Sequence, residues 1–237
     1  MSRFTLTSAE LAVLVDHMTG GRLLEQTTTL PELHVDEQAL EAAEEGLLDR
    51  GLLVSLPFEE ASGVTSELAS VLSAAITPDR VCIVRTVHGD HTDAPVFISF
   101  TPECITRNQV DEQGMHVFSE LADREAAVSA ILTLGAAAAE QAPAKKGAAK
   151  KAPAKKGRAA TKPRPLADLL KEATRLVMLM VVADPAEPSA AAASLTWLET
   201  EAGLWLVDGT SDGEAPLAAL IAVKALRQQI AAAVEGG

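Results

Sequence analysis

The chain has 237 residues and is 48% hydrophobic, enough to bury a sizeable core as one large domain or two small ones. Only 3% is aromatic and Tyr is absent, so aliphatic side chains must fill that core and stacking platforms for nucleobases are scarce. A net charge of -13 repels phosphate, and the longest apolar run, 176–183, is far shorter than the roughly 20 residues a membrane-spanning helix needs, so no membrane insertion is expected.

From the N-terminus, Thr7 stands three positions before Glu10, a capping-box spacing, and Leu11, Leu14, Val15 and Met18 then share one helical face. Gly20-Gly21 closes this helix. A second helix is expected from 36 to about 50, with Leu40, Ala43, Leu47 and Leu48 on its apolar stripe and Gly51 just past its end. A short strand follows at 52–54. The order helix, helix, strand resembles a winged-helix unit, in which 36–50 would be the DNA-recognition helix. Its charges oppose that role: Glu37, Glu41, Glu44, Glu45 and Asp49 face Arg50 alone, which favours a scaffold or protein-binding unit.

A third helix spans 65–76, with Leu68, Val71, Leu72, Ala75 and Ile76 inward, and Pro78-Asp79 breaks it. Strands are expected at 81–87 (VCIVRTV), 96–100, more weakly at 105–110, and at 115–118. VCIVRTV alternates in polarity and is placed nearer a sheet edge. Asp123 then caps a helix carrying Ala127, Val128, Ile131 and Leu132, which fades at Gly135.

Residues 141–165, QAPAKKGAAKKAPAKKGRAATKPRP, hold nine Lys and Arg and no acidic residue, leaving 11 basic against 33 acidic residues elsewhere. The repeated A-P-A-K-K-G theme cannot bury a core and is expected to be a disordered or polyproline-like linker. Its cations, Lys145, Lys146, Lys150, Lys151, Lys155, Lys156 and Arg158, are the candidate phosphate contacts of a nucleic-acid arm, which would bind salt-sensitively and without sequence choice. The acidic surroundings favour the plainer alternative, a tether whose charge offsets that of the body.

Beyond it come a short helix at 166–173, a strand at 176–183 that is apolar on both faces and so central, strands at 193–198 and 203–207, and a final helix. That helix is expected to carry Leu220, Ile221, Val223, Leu226, Ile230 and Val234, with Pro216 in its first turn. The element order repeats that of the first half. An α+β fold follows, with two related halves pairing antiparallel strands about a pseudo-twofold and helices packed on one side. The units are 1–135, the linker 136–165, and 166–237.

His88, Asp90, His91 and Asp93, in one predicted hairpin turn, form the single cluster of metal-ligating types. A zinc site there would need a further ligand such as His116 or Cys104, and the same residues are ordinary turn formers. Cys82 and Cys104 lack CxxC spacing and read as buried small hydrophobes. With an opening MSRFTLTSAEL that has no charged-then-apolar leader, they indicate a reduced, cytoplasmic protein. No GxGxxG, GxxxxGK[ST], GxSxG or HExxH occurs, so neither an enzyme nor a cofactor is expected. Trp197 and Trp205, with Leu204 and Leu206, fall on adjacent strands in TWLETEAGLWLV. They read as hairpin packing or, functionally, as an apolar surface that holds a partner helix.

The opening FTLTSAELAVL, the stretch LEAAEEGLLDRGLL with the helix at 65–76 and PDRVCIVRTV, and the late SLTWLETEAGLWLV before a terminal helix together resemble the EspG family of ESX (type VII) secretion-associated proteins of actinobacteria. The resemblance covers most of the chain outside 136–165 and implies a sheet with helical bundles and quasi-twofold halves. It also implies a cytosolic chaperone that binds the hydrophobic tip of a helical secretion substrate, through a surface with no signature residues to carry over. The sequence therefore points to a non-enzymatic cytosolic chaperone or adaptor for a helical protein partner. Its alternative is a winged-helix-like transcriptional or nucleoid-associated protein with a basic nucleic-acid-binding arm.

Overall fold

The computed structural model describes residues 2–20, 36–55, 62–135, 162–185, 191–208 and 216–235. The chain opens with β1 (Arg3–Leu6), which periodicity does not reveal, and turns into α1 (Ser8–Thr19). The capping box forms as its spacing requires: Thr7 Oγ1 accepts the Glu10 N–H at 3.0 Å, and the Glu10 carboxylate accepts the Thr7 N–H at 2.8 Å. Helix α2 (Glu37–Asp49) starts on the Asp36 side chain, which accepts the Ala39 N–H at 2.7 Å. It ends in a Schellman motif, where the Leu52 N–H reaches the Leu47 carbonyl and the Gly51 N–H reaches the Leu48 carbonyl, both at 2.9 Å. Gly51 sits at φ 65°, the left-handed conformation this stop requires. A small ribbon of β2 (Leu53–Ser55) and β3 (Ser62–Val64) leads to α3 (Ser66–Ile76).

The first run of strands is β4 (Arg80–His88), the short β5 (His91–Thr92), β6 (Val96–Phe100), β7 (Ile105–Val110) and β8 (His116–Leu121), followed by α4 (Arg124–Gly135). The second part comprises β9 (Arg164–Pro165), α5 (Leu166–Leu170), β10 (Ala173–Val182), β11 (Ala191–Thr200), β12 (Gly203–Asp208), β13 (Leu217–Ile221) and α6 (Val223–Glu235). The result is an α+β fold whose described strands, β2 and β3 apart, form one 11-stranded antiparallel sheet in the order β1-β8-β7-β6-β4-β10-β11-β12-β13-β9, with β5 on β4. The doubly apolar LVMLMVV of β10 is central, as its composition requires.

Four expectations are corrected. VCIVRTV is central, paired with β6 on one side and β10 on the other. Its alternation marks a difference between the two faces of the sheet and not nearness to an edge, since exposed Arg85 lies on one face and buried Cys82 and Val84 on the other. Helices pack on both faces and not on one: α4 and α6 cover Cys82, Val84, Ile98, Val177, Leu179 and Trp197. Helix α3 lies on the opposite face, where Thr106 Oγ1 donates to the Val71 carbonyl at 3.1 Å, and α5 sets Leu169 against Leu198 and Trp205.

The end of the basic stretch joins the sheet: β9 pairs Arg164 and Pro165 with Ala218 and Leu217. Arg164 also grips Glu172 with two bonds of 2.9 and 2.7 Å and stands 5.6 Å over the Trp205 ring. Finally, Pro216 precedes a strand, β13, and not a helical turn, so α6 begins later than its apolar periodicity suggests.

At the N-terminal end, buried Glu10 serves two partners. Its second oxygen takes Arg50 Nη1 at 2.7 Å, and Arg50 Nη2 donates to the Thr5 carbonyl at 3.0 Å, tying α2 to α1 and to edge strand β1. Replacing Arg50 by Ala leaves a buried carboxylate without its cation. Because the guanidinium is partly exposed, the expected loss is about 1–2 kcal/mol, read as a lowered midpoint in urea denaturation.

Candidate functional site

The sheet register places Asn108, Phe97, Ile83, Met180 and Ser194 side by side across β7, β6, β4, β10 and β11, with Arg85, Met178 and Thr196 in the adjacent row. This is the face that carries α3 near one end and α5 near the other. Between those helices Met180 is 37% exposed, Arg85 and Ser194 are exposed, and Ile83, Met178 and Thr196 are half-buried. A large apolar side chain at the centre of a sheet is ordinarily covered. Here the centre forms an open apolar floor of two Met and one Ile, rimmed by a cation. Methionine adapts its shape to irregular partners, which suits such a floor to protein contact.

The tryptophans singled out from the sequence lie elsewhere. Trp197 and Trp205 are 1% and 2% exposed and point to opposite faces, because Trp197 pairs with Leu206 while its neighbour Leu198 pairs with Trp205. Trp197 belongs to the core beneath α4 and α6, with half-buried Leu204 and Leu206 beside it. Trp205 packs on α5, and its Nε1–H donates to Thr200 Oγ1 at 3.2 Å. The hairpin turn between them favours Gly203, whose φ of 134° would strain any other residue and whose Cβ position lies a tight 3.2 Å from Leu220 Cδ1.

In the 88–93 hairpin, Nε2 of His88 and Nε2 of His91 both face the Asp93 carboxylate, at 3.1 and 3.4 Å. His116 and Cys104, the proposed extra ligands, are committed elsewhere: His116 Nε2 bonds Ser8 Oγ at 3.2 Å, and Cys104 Sγ lies 3.4 Å from Thr106 Oγ1. Among the described residues no group of three or more His, Cys, Asp or Glu is placed to hold a metal ion. Both cysteines are free and buried, and burial pushes the Cys82 thiol up to about 12, which makes it inert. Lys145, Lys146, Lys150, Lys151, Lys155, Lys156 and Arg158 lie outside the described residues. Arg50, the one cation of the supposed recognition helix, is spent on Glu10 and Thr5.

No protein-family model and no curated protein sequence matches the chain. Among solved structures, it is similar to the type VII secretion system chaperone EspG5 of Mycobacterium tuberculosis, determined in complex with the PE25–PPE41 dimer. The TM-score is 0.53 at 11% identity, covering 99% of this chain and 95% of that one. The chain has an EspG-type fold. The likeness extends over nearly the whole length of the chain. Among the described residues no helix is long and apolar enough to cross a membrane.

The buried imidazole of His116 supplies a pH test of this fold. Burial lowers its affinity for a proton below the ordinary value of 6.5, so on acidification the unfolded chain protonates first. Its contribution is present above pH 6.5 and is lost as pH falls toward and through the lowered value. Thermal midpoints measured from pH 7.5 to 5.0 should therefore fall for the parent chain and fall less steeply for His116→Asn.

Proposed function

We propose that this chain is a non-enzymatic cytosolic chaperone or adaptor that holds a helical protein partner, of the type VII secretion-substrate class, on the open sheet face centred on Ile83 and Met180. The observation that carries this reading is the near full-length likeness to EspG5, a chaperone solved while holding the PE25–PPE41 dimer. The open floor supports it, since this chain leaves apolar side chains uncovered at the centre of its sheet. Arg85 at the rim favours a partner with an acidic residue beside its apolar contact. Trp197, Trp205, Leu204 and Leu206 serve the surface from within, holding β11 against β12 so that the floor keeps its shape.

The same reading covers the architecture. The run β4-β6-β7-β8 closed by α4, and the run β10-β11-β12-β13 closed by α6, are taken as related halves about a pseudo-twofold. Units 1–135 and 166–237 are then joined by linker 136–165, and α1, α2, α3 and the β2–β3 ribbon form a winged-helix-like scaffold.

Tagged chain, co-expressed with its neighbouring genes, should recover a small helical protein at 1:1. Met180→Asp or Ile83→Asp should cut that recovery by about thirtyfold, the worth of a roughly 2 kcal/mol hot spot, while circular dichroism stays unchanged. Recovery undiminished by both charges would overturn the assignment of this face.

The nine cations of 141–165 favour one second reading, a nucleic-acid-binding arm on a transcriptional or nucleoid-associated protein. That reading requires retention on DNA cellulose at low salt, lost when 141–161 is deleted. Passage straight through the column with the stretch intact eliminates it and leaves the tether role.

A further inference from the structure

Arg107 of β7 and Arg3 of β1 both pair with Ser119 of β8, so the three side chains stand in one row, beyond Ile98, on the face that carries α4 and α6. Two strand spacings, about 10 Å, separate the two arginine Cα positions, and stems of that length let both guanidinium groups converge on one group over Ser119. Arg107 Nη2 donates to the Gln109 side-chain oxygen. Neither Arg107 nor Arg3 meets a carboxylate among the described residues, whereas Arg50, Arg164, Arg175 and Arg227 each do. Glu120, next to Ser119 in sequence, points to the other face, where its carboxylate accepts the Ser2 N–H at 3.2 Å. In a chain with 33 acidic against 20 basic residues, two adjacent arginines without an acid are a placement that composition does not explain.

Electrostatics selects the occupant. Burial, and after it the Arg3 charge, lowers the affinity of Arg107 for its proton, as befits a partly desolvated cation beside a like charge. An anion relieves both costs. The polar side chains grouped here offer donors: two guanidinium groups, the Ser119 hydroxyl and the Gln109 amide nitrogen. A single carboxylate neutralises one cation and leaves the other, whereas a phosphate monoester brings nearly two charges at neutral pH and three acceptor oxygens. We infer that Arg3 and Arg107 form an oxyanion site for a phosphate monoester, with Ser119 and Gln109 as neutral donors. The site is open: Arg3 is exposed, Arg107, Ser119 and Gln109 are half-buried, and β1 is the end strand of the sheet. Arg107 Nε is sealed beneath with no partner and takes no part in the contact, which falls to the Nη atoms and to Arg3. The row faces away from Ile83 and Met180, and the site depends on no assignment of the helical partner.

The sealed Nε serves as the reporter, because a buried N–H exchanges slowly with water. In the full ¹⁵N-labelled chain at about pH 7.5, its signal, assigned by its loss in Arg107→Lys, should move saturably with inorganic phosphate, with a Kd of about 5 mM. Sodium chloride at matched ionic strength should leave it still. Arg3→Gln, a change at an exposed position, keeps the signal and should weaken the titration about tenfold. Acetate and dimethyl phosphate, each with one charge, should bind about tenfold more weakly than phosphate. N-acetyl-phosphoserine N-methylamide separates the sources of the group: binding tighter than that of inorganic phosphate assigns the site to a phosphorylated protein segment, and equal or weaker binding assigns it to the free ion. A signal that ignores phosphate, that chloride moves equally, or that responds in full in Arg3→Gln overturns the site, and so does acetate bound as tightly as phosphate. If Arg107→Lys fails to fold, coupling to the side-chain carbons of Arg107 in ¹³C,¹⁵N-labelled parent chain assigns the signal, and the same titrations decide.

Discussion

Seven consecutive residue pairs between β4 and β10, from Val81 with Val182 to Val87 with Leu176, hold this structure together. The other strands of the large sheet hang outward from that seam, β6, β7, β8 and β1 on one side and β11, β12, β13 and β9 on the other, with the short β5 also on β4. The inward members of the seam, Cys82, Val84, Val177, Leu179 and Val181, are essentially inaccessible, and each apolar side chain so buried contributes about 1.5–3 kcal/mol. Helices α4 and α6 clamp the same face and each other: Arg227 reaches Glu125 and, at 2.8 Å, Ser129 Oγ, while Arg80 of β4 bonds the Val234 carbonyl near the end of α6. Parting the seam would therefore open the main core and the helix layer together.

A seam of this kind tolerates the connection between its two sides. The entropy of closing a loop grows only logarithmically, about 0.6 kcal/mol for each doubling of length, so a long hydrophilic insertion before β9 costs little against one buried valine. What the insertion cannot do freely is place its charge. The eight cations of 141–163 join a chain that otherwise holds 12 basic against 33 acidic residues, and the exposed carboxylates of α2 are not offset by Arg50, which is bound to Glu10 and Thr5. The charge pattern thus suits attraction between the insertion and its own protein better than attraction of either to a phosphate backbone.

Much of this was legible in advance where a local rule decides structure. The capping box at Thr7 and Glu10, the Gly51 stop and the strand 96–100 involve nearest neighbours, and tertiary context had nothing to override. LAALI of β13 was misread because Leu and Ala are strong helix formers and Pro216 mimics a helix start; its strand form comes from the ladder that β12 offers. Strand β1 is four residues long, too short for a period to show. The aromatic pair drew attention as a surface because Trp is rare here, yet large side chains are also what a nearly aromatic-free core needs most, and both are buried. The open floor could not be read from LVMLMVVA, whose two faces are equally apolar. Which face stays uncovered depends on where α3 and α5 land.

Two features that lower the stability of the isolated chain fall in one register row: a half-open methionine at the centre of the sheet and an asparagine buried with both hydrogen-bonding atoms unused. They sit three strands apart, about 14 Å, on the same face. Other polar groups are closely paired, as with the two-sided use of Glu10, the Trp205 indole on Thr200, and Arg164 on Glu172, while Arg107 Nε and His116 Nδ1 are, like the Asn108 carboxamide, buried without a hydrogen-bond partner. A large apolar side chain left half-open at the centre of a sheet is a local departure from consistency, and departures of this kind are expected at functional or strained sites.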